Sequence, residues 1–294
     1  MKIAIFGQYY ENDTRPIIRD IFVFLNENNV ELAVEKKFLD ILYKEEIVKK
    51  GYKTYSSYSD LDSSFDLLIS IGGDGTILRA TTFVRDLGIP ILGVNAGRLG
   101  FLAKVQKENI ATFLQLVLEK KYSISKRTLL SLTCSPKISE IAEINFAMNE
   151  VTVSRKDSTS MITIETYLNG EYLNSYWADG LIISTPTGST GYSLSCGGPV
   201  LTPDVKSLVV TPIAPHNLNA RPLVIKDDTE IELRVSGRDE QYLVSLDSRI
   251  ASVNNNTILK IKKTPFKINM VEISDETFLK TLRAKLLWGE DKRN

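Results

Sequence analysis

The sequence predicts a chain in two parts: an N-terminal α/β domain with a Rossmann-like open parallel sheet, then an all-β domain, with a C-terminal helix returning to the first. Three observations carry this. Apolar strand-like runs alternate with helical periodicity as far as about residue 125, and short β-branched and aromatic runs then take over to about 273. An amphipathic stretch from Asp275 to Trp288, with Phe278, Leu279, Leu282 and Leu286 on one side, restores the helical period. The expected boundaries are therefore 1–125, 126–273 and 274–294.

Lys2 to Phe6 reads as the first strand. Ile17, Ile18, Ile21, Phe22 and Leu25 then fall on one helical face, after Asp13-Thr14-Arg15-Pro16, where a capping side chain and an early proline suit a first turn. A second helical pattern covers roughly 35–50 through Phe38, Leu39, Ile41, Leu42 and Ile47. Leu67 to Ile71 is a buried strand leading to a helix over 76–87, Pro90 to Val94 is another strand, and 108–120 is a helix. Such alternation implies a parallel sheet covered on both faces. Beyond it, strands are expected at 128–134, 144–154, 161–168, 171–177, 180–185, 207–213, 230–236, 241–247 and 257–262, with Asn169-Gly170 as a hairpin turn.

Lys plus Arg equals Asp plus Glu at 36 each, so no global charge draws the chain to nucleic acid or an anionic membrane. Two separated cysteines, Cys134 and Cys196, and a single histidine, His216, make a zinc site improbable and fit a reducing cytoplasm. The immediate first strand leaves no space for a signal peptide, and no apolar run approaches the ~20 residues of a membrane span. A soluble cytoplasmic protein is expected.

The chemistry gathers in four segments. In Phe65 to Ala80, the run Gly72-Gly73-Asp74-Gly75 sits between a strand and a helix, where open α/β sheets bind ligands. Glycines permit positive φ and close backbone approach, and a helix N-terminus suits phosphate. A carboxylate beside phosphates makes sense if it serves a reacting hydroxyl or a bridging metal; the plainer alternative is that Asp74 caps its helix. Gly93 to Phe101, including Arg98, is a second glycine-rich loop after the next strand. Asn149-Glu150 interrupts an apolar strand and could grip a vicinal diol, or could be an edge pair facing water. Ala178 to Pro199 leads from a strand into a run of small hydroxyl residues and glycines, with Tyr192 able to stack on a base. His216 is read as a structural hydrogen-bonding residue and Cys196 as a small packed one.

With Pro212 to Leu223 downstream, these segments resemble the NAD kinase family, closely over about 65–250. GGDGT is shared with diacylglycerol and sphingosine kinases, whereas TPTGSTGYSLSCGGP and IAPHNLNARPL are far more specific. The resemblance implies transfer of the γ-phosphoryl of ATP, or of polyphosphate in some members, to the 2′-hydroxyl of the adenosine ribose of NAD, giving NADP, with a divalent metal such as Mg²⁺. It makes Asp74 the base, puts Gly75 against the dinucleotide and places Arg79 near phosphates. Asn149 and Glu150 would contact the ribose and nicotinamide end. Asp179 matches a dinucleotide-binding aspartate that can act across a subunit boundary. Thr187, Thr190, Gly191, Tyr192, Ser193, Leu194 and Ser195 match the loop around the adenosine, with Ala214 beside it; no residue is assigned to metal. A homodimer or homotetramer is implied. Trp177, Gly191 and Arg249 depart from the residues usual at their positions, and Trp177 and Arg249 are left out of the expected site. A lipid kinase and a non-catalytic dinucleotide sensor remain the alternatives.

Overall fold

A computed structural model describes residues 1–9, 14–49, 51–97, 99–105, 107–157, 160–273 and 277–287. Two compact units emerge, one of residues 1–126 and 268–294, the other of 127–267.

In the first unit the chain runs β1 (Lys2–Gly7), α1 (Arg15–Glu27), β2 (Glu31–Glu35), α2 (Lys36–Lys44), β3 (Lys53–Tyr55), β4 (Leu67–Gly72), α3 (Asp74–Val84), β5 (Ile91–Asn95), α4 (Ile110–Leu118) and β6 (Ser123–Arg127). The second unit holds β7 (Leu130–Ser135), α5 (Ser139–Ala142), β8 (Phe146–Ala147), β9 (Glu150–Arg155), β10 (Ile162–Leu168), β11 (Glu171–Ala178), β12 (Gly180–Ser184), α6 (Tyr192–Ser195), β13 (Ser207–Ile213), β14 (Leu223–Lys226), β15 (Ile231–Ser236), β16 (Gln241–Leu246), β17 (Arg249–Asn254) and β18 (Ile258–Lys263). The chain then rejoins the first unit as β19 (Ile268–Glu272) and α7 (Phe278–Leu286).

The first sheet has the order β3-β2-β1-β4-β5-β19-β6, and its pairs from β3 to β19 are parallel. Strand order reverses between β1 and β4, the kind of switch point at whose C-terminal edge open α/β sheets bind ligands. Two contacts close that place: the Gln8 N–H donates to the Ile71 carbonyl at 3.0 Å, and Thr76 Oγ1 donates to Gln8 Oε1 at 2.9 Å. All five apolar residues expected on the face of α1 are buried, packed with Ile3, Ile5, Leu67 and Ile69 in one core. Asp13, Arg98, Asp275 and Trp288 lie outside the described residues.

Two six-stranded antiparallel sheets, β11-β10-β15-β18-β7-β8 and β14-β13-β12-β9-β16-β17, make the second unit. Ile164, Leu233 and Leu259 from one share a core with Val151, Leu181 and Val244 from the other. β9 lies between β12 and β16, so Glu150 begins a central strand, which corrects the edge-strand alternative for the Asn149-Glu150 pair. The expected strand over 144–154 is in fact two, with Met148 and Asn149 between them. Residues 268–272, expected in the β domain, pair in parallel with β5 instead. In α7 Leu282 is buried, but Leu279 turns to solvent at 60% exposure, because the helix buries a narrower stripe than its apolar content suggests. Lys285 Nζ donates to the Leu99 carbonyl at 2.6 Å and Phe278 meets Phe101, so this helix packs on the first unit. No described helix is long and apolar enough to cross a membrane.

The hairpin turn joining β10 and β11 has φ of 51° at Asn169 and 84° at Gly170, the pairing a type I′ turn requires. Asn169 Oδ1 also accepts from the Glu230 N–H at 2.9 Å. Asn169→Ala should therefore cost about 1–2 kcal/mol in urea denaturation, through left-handed strain and one lost hydrogen bond. Asn169→Gly should cost less.

Candidate functional site

β4 ends at Gly72 and α3 starts at Asp74, so one carboxylate stands in the first helical turn beside the switch point. It does not cap its own helix. Asp74 Oδ2 accepts from the Phe101 N–H at 2.8 Å, and Oδ1 accepts from the Leu102 and Ala103 N–H groups at 3.0 Å each. The helix-cap alternative therefore fails, since the side chain reaches over to the loop after β5. Gly100 makes this approach possible: a Cβ there would lie 2.0 Å from Asp74 Oδ1. Positive φ is needed less than the sequence suggests, since around Asp74 only Gly72 has it, at 152°. Gly75 and Arg79 are one turn apart on an exposed face of α3, with the Arg79 guanidinium 5.6 Å from the centre of the Phe6 ring.

The second unit assembles the remaining expected residues. The chain pauses between β8 and β9, and Asn149 and Glu150 occupy the break and its exit. Thr185 fastens this corner by donating its hydroxyl to the Met148 carbonyl at 2.6 Å and its N–H to the Asn149 carbonyl at 2.9 Å. The Gly188 N–H donates back to Thr185 Oγ1 at 3.1 Å, and a Cβ on Gly188 would fall 2.1 Å from the Asn149 oxygen. Thr187 and Ser193 are buried and Thr190 half-buried; Thr190 Oγ1 donates to the Thr187 carbonyl at 3.1 Å, and Ser193 bonds Thr211 at 2.8 Å. The Thr190 hydroxyl thus serves the loop's own backbone, and that of Ser193 ties the loop to β13. Gly191 faces Asn149 and Glu150, and the short α6 carries Tyr192, Ser193, Leu194 and Ser195, with Tyr192 45% exposed.

A cavity of about 380 Å³ in this unit is lined by Ser154, Arg155, Lys156, Asp157, Asp179, Tyr192 and Ile213. Asp179 holds Arg155 there at 2.9 Å. Ala214 follows Ile213 in an exposed left-handed conformation, φ 43°. The backbone N–H of His216 donates to the Trp177 carbonyl at 2.8 Å, and its ring lies 4.3 Å from the Trp177 ring. Burial raises the Cys196 thiol, consistent with a packed, unreactive side chain.

Asn149 Oδ1 and Glu150 Oε2 are buried without a hydrogen-bond partner among the described residues. Leaving such atoms unpaired costs roughly 1–3 kcal/mol each, so they are poised for something that arrives. Burial, then the neighbouring Asp247 carboxylate, push the Glu150 carboxyl up to about 8, only partly offset by the Tyr192 N–H that donates to it. Glu150 is thus protonated near neutrality and offers a donor as well as an acceptor, which is what gripping hydroxyls requires.

The structure gathers Asn149, Glu150, Gly191 and Tyr192 in one corner and Asp179 with Tyr192 in one cavity. Asp74, Gly75 and Arg79 stand together in the first unit. Sequence reasoning missed Gly100, Thr185, Gly188 and Asp247. The glycines were visible in their loops; only the contacts that require them were not.

An open parallel sheet with a fixed carboxylate beside its switch point is the arrangement of a nucleotide-binding class of α/β fold. Residues 3–122 match the model of the ATP-NAD kinase N-terminal domain and 148–273 that of the ATP-NAD kinase C-terminal domain. The chain belongs to the ATP-NAD kinase family. It is 74% identical over 294 residues to a NAD kinase of Flavobacterium psychrophilum and 43% identical over 295 to one of Cytophaga hutchinsonii, with all of each chain covered. Among solved structures, an NAD kinase from Archaeoglobus fulgidus in complex with ATP superposes with a TM-score of 0.75 at 26% identity, over 98% of this chain and 99% of that one. Yeast NADH kinase complexed with NADH shares the fold, with a TM-score of 0.87 at 22% identity, over 99% of this chain and 88% of that one.

Two outcomes are expected. Gly188→Ala should weaken NAD binding at least tenfold by calorimetry and cost about 1–3 kcal/mol in thermal denaturation, because Cβ and the Asn149 carbonyl cannot share the space. Glu150 titrates at about 8 when folded and near 4.5 when unfolded, so the native state holds the extra proton between those values. Its stabilising share is complete below that window and is lost as pH rises through it. Glu150→Gln should accordingly gain in Tm over the parent from about pH 5 to about pH 8.5, with no gain below the window.

Proposed function

We propose that the chain transfers the γ-phosphoryl of ATP to the 2′-hydroxyl of the adenosine ribose of NAD, giving NADP and ADP. The observation that carries the reading is the fixed carboxylate of Asp74 at the switch point. A carboxylate offers about four acceptor positions, and three are taken by the Phe101, Leu102 and Ala103 N–H groups. The remaining one is on Oδ2, room for a single ribose hydroxyl.

In the reaction the ribose oxygen attacks the γ-phosphorus, the bond to the β-phosphate oxygen breaks, and the hydroxyl proton passes to Asp74. An aspartate is a far weaker base than an alkoxide, so the proton moves late, as the new P–O bond forms. Positioning supplies most of the rate. Arg79, exposed on α3, is assigned to the phosphates. Asn149 and Glu150 are assigned to the ribose and nicotinamide end, Asp179 to the dinucleotide, and Thr187, Thr190, Gly191, Tyr192, Ser193, Leu194 and Ser195 with Ala214 to the adenosine surroundings.

Among the described residues no three His, Cys, Asp or Glu side chains gather to hold a metal. The family resemblance implies Mg²⁺, which keeps several waters and prefers substrate phosphates to an all-protein cage, so the ion would arrive with ATP. When bound it would neutralise charge on the phosphates. Polyphosphate as an alternative donor, a cytoplasmic location and a homodimer or homotetramer belong to the same proposal, on the family resemblance. A lipid-kinase or sensor role has no support from the family match.

Purified protein with ATP and NAD should form NADP, and EDTA should stop it. Asp74→Asn should lower kcat by at least ~10²-fold while NAD still binds in calorimetry. A variant retaining most of its turnover would remove Asp74 from the role of base.

A further inference from the structure

We infer that Asp247, with Arg249 two residues on, is the positioning device for Asn149 and Glu150, fixing the backbone between β8 and β9 so that their unpaired atoms face the dinucleotide. This rests on the assignment of that pair to NAD.

Asp247 lies in the two-residue turn between β16 and β17 at φ 52°, a conformation aspartate tolerates. A side chain at a hairpin turn ordinarily points to water; this one is 3% exposed. Its Oδ2 accepts from the Met148 N–H at 3.0 Å, and Oδ1 accepts from Asn149 at 2.8 Å and Glu150 at 3.3 Å. In return the Asp247 N–H donates to the Glu150 carbonyl at 3.0 Å. Met148 and Asn149 lie between strands, and the carboxylate takes the donors that a neighbouring strand would otherwise satisfy.

Arg249 holds the arm that leads into this corner. Its guanidinium donates to the Ile144 carbonyl at 2.7 Å and to the Phe146 carbonyl, lies 5.6 Å from the centre of the Phe146 ring, and comes within 4.0 Å of Asp247 Oδ2. Asp247 in the turn and Arg249 at the start of β17 thus bind the backbone from Ile144 to Glu150. If only a turn were being stapled, nothing would require the next side chains to keep Asn149 Oδ1 and Glu150 Oε2 buried and unpaired.

Asp247→Asn keeps shape and tolerance of left-handed φ but presents an NH₂ to backbone N–H groups. NAD Kd by calorimetry should rise at least tenfold while the KM for ATP stays within twofold. Arg249→Lys, whose single ammonium cannot fork to two carbonyls, should raise the same Kd at least threefold, and serves if the first variant folds poorly. The deciding measurement is a cycle. In an Asn149→Ala/Glu150→Gln background, Asp247→Asn should change NAD Kd by less than twofold further. An undiminished effect there, or equal losses for both substrates, would mark Asp247 as a structural staple and overturn the inference. If the pair variant itself leaves NAD Kd unchanged, the assignment of the pair fails and Asp247 has nothing to position, a result distinct from an undiminished effect.

Discussion

The structure depends on one repeated constraint: where the chain leaves a sheet, its buried N–H groups still need acceptors. Twice a single aspartate answers for three consecutive residues. Asp74 gathers residues 101–103 in the first unit and Asp247 gathers 148–150 in the second. Each has lost the freedom of a surface side chain, and each lies where two irregular segments must hold a fixed shape. Burial raises Asp247, while the three donors and Arg249 pull the other way. Those donors suit an ionised acceptor, so in the Asp247–Glu150 pair the charge rests on Asp247 and the proton on Glu150.

The fold class could be read from the sequence because both periodicities are strong where the core is continuous. α1 buries every apolar residue on its expected face, and β10 and β11 meet at a turn whose two residues state their own geometry. β17 escaped notice although it alternates, and most of the other missed strands lack a local signal. β14 is exposed or half-exposed throughout, so it has no alternation to display. β2 is short and nearly all buried, and β3 has only three residues. β19 belongs to its sheet through a partner almost 180 residues earlier, Met270 beside Ile91, and no window of sequence contains both.

The candidate site divides in the same way. Asp74, Asn149, Glu150 and Tyr192 were legible because a charge among glycines, or an amide beside a carboxylate in an apolar run, is out of place locally. Gly100 and Gly188 were legible as glycines but not as necessities, because what forbids a side chain is an atom from a distant segment. Arg249 looked like a departure. Its guanidinium, turned inward onto two carbonyls, shows that an inward role can be filled from an outward-looking position.

β19 lies between β5 and β6, although both precede it by more than 140 residues. On the ribosome, then, the first sheet must wait with a gap between β5 and its edge strand β6 while the whole β unit is made. Until the segment from Ile268 emerges, β5 presents a free edge, the kind of surface on which nascent chains pair wrongly. The order of synthesis and the order of the sheet are in conflict. The last strand to be made acts as a keystone, and completion of the first unit becomes a report that the second has been translated.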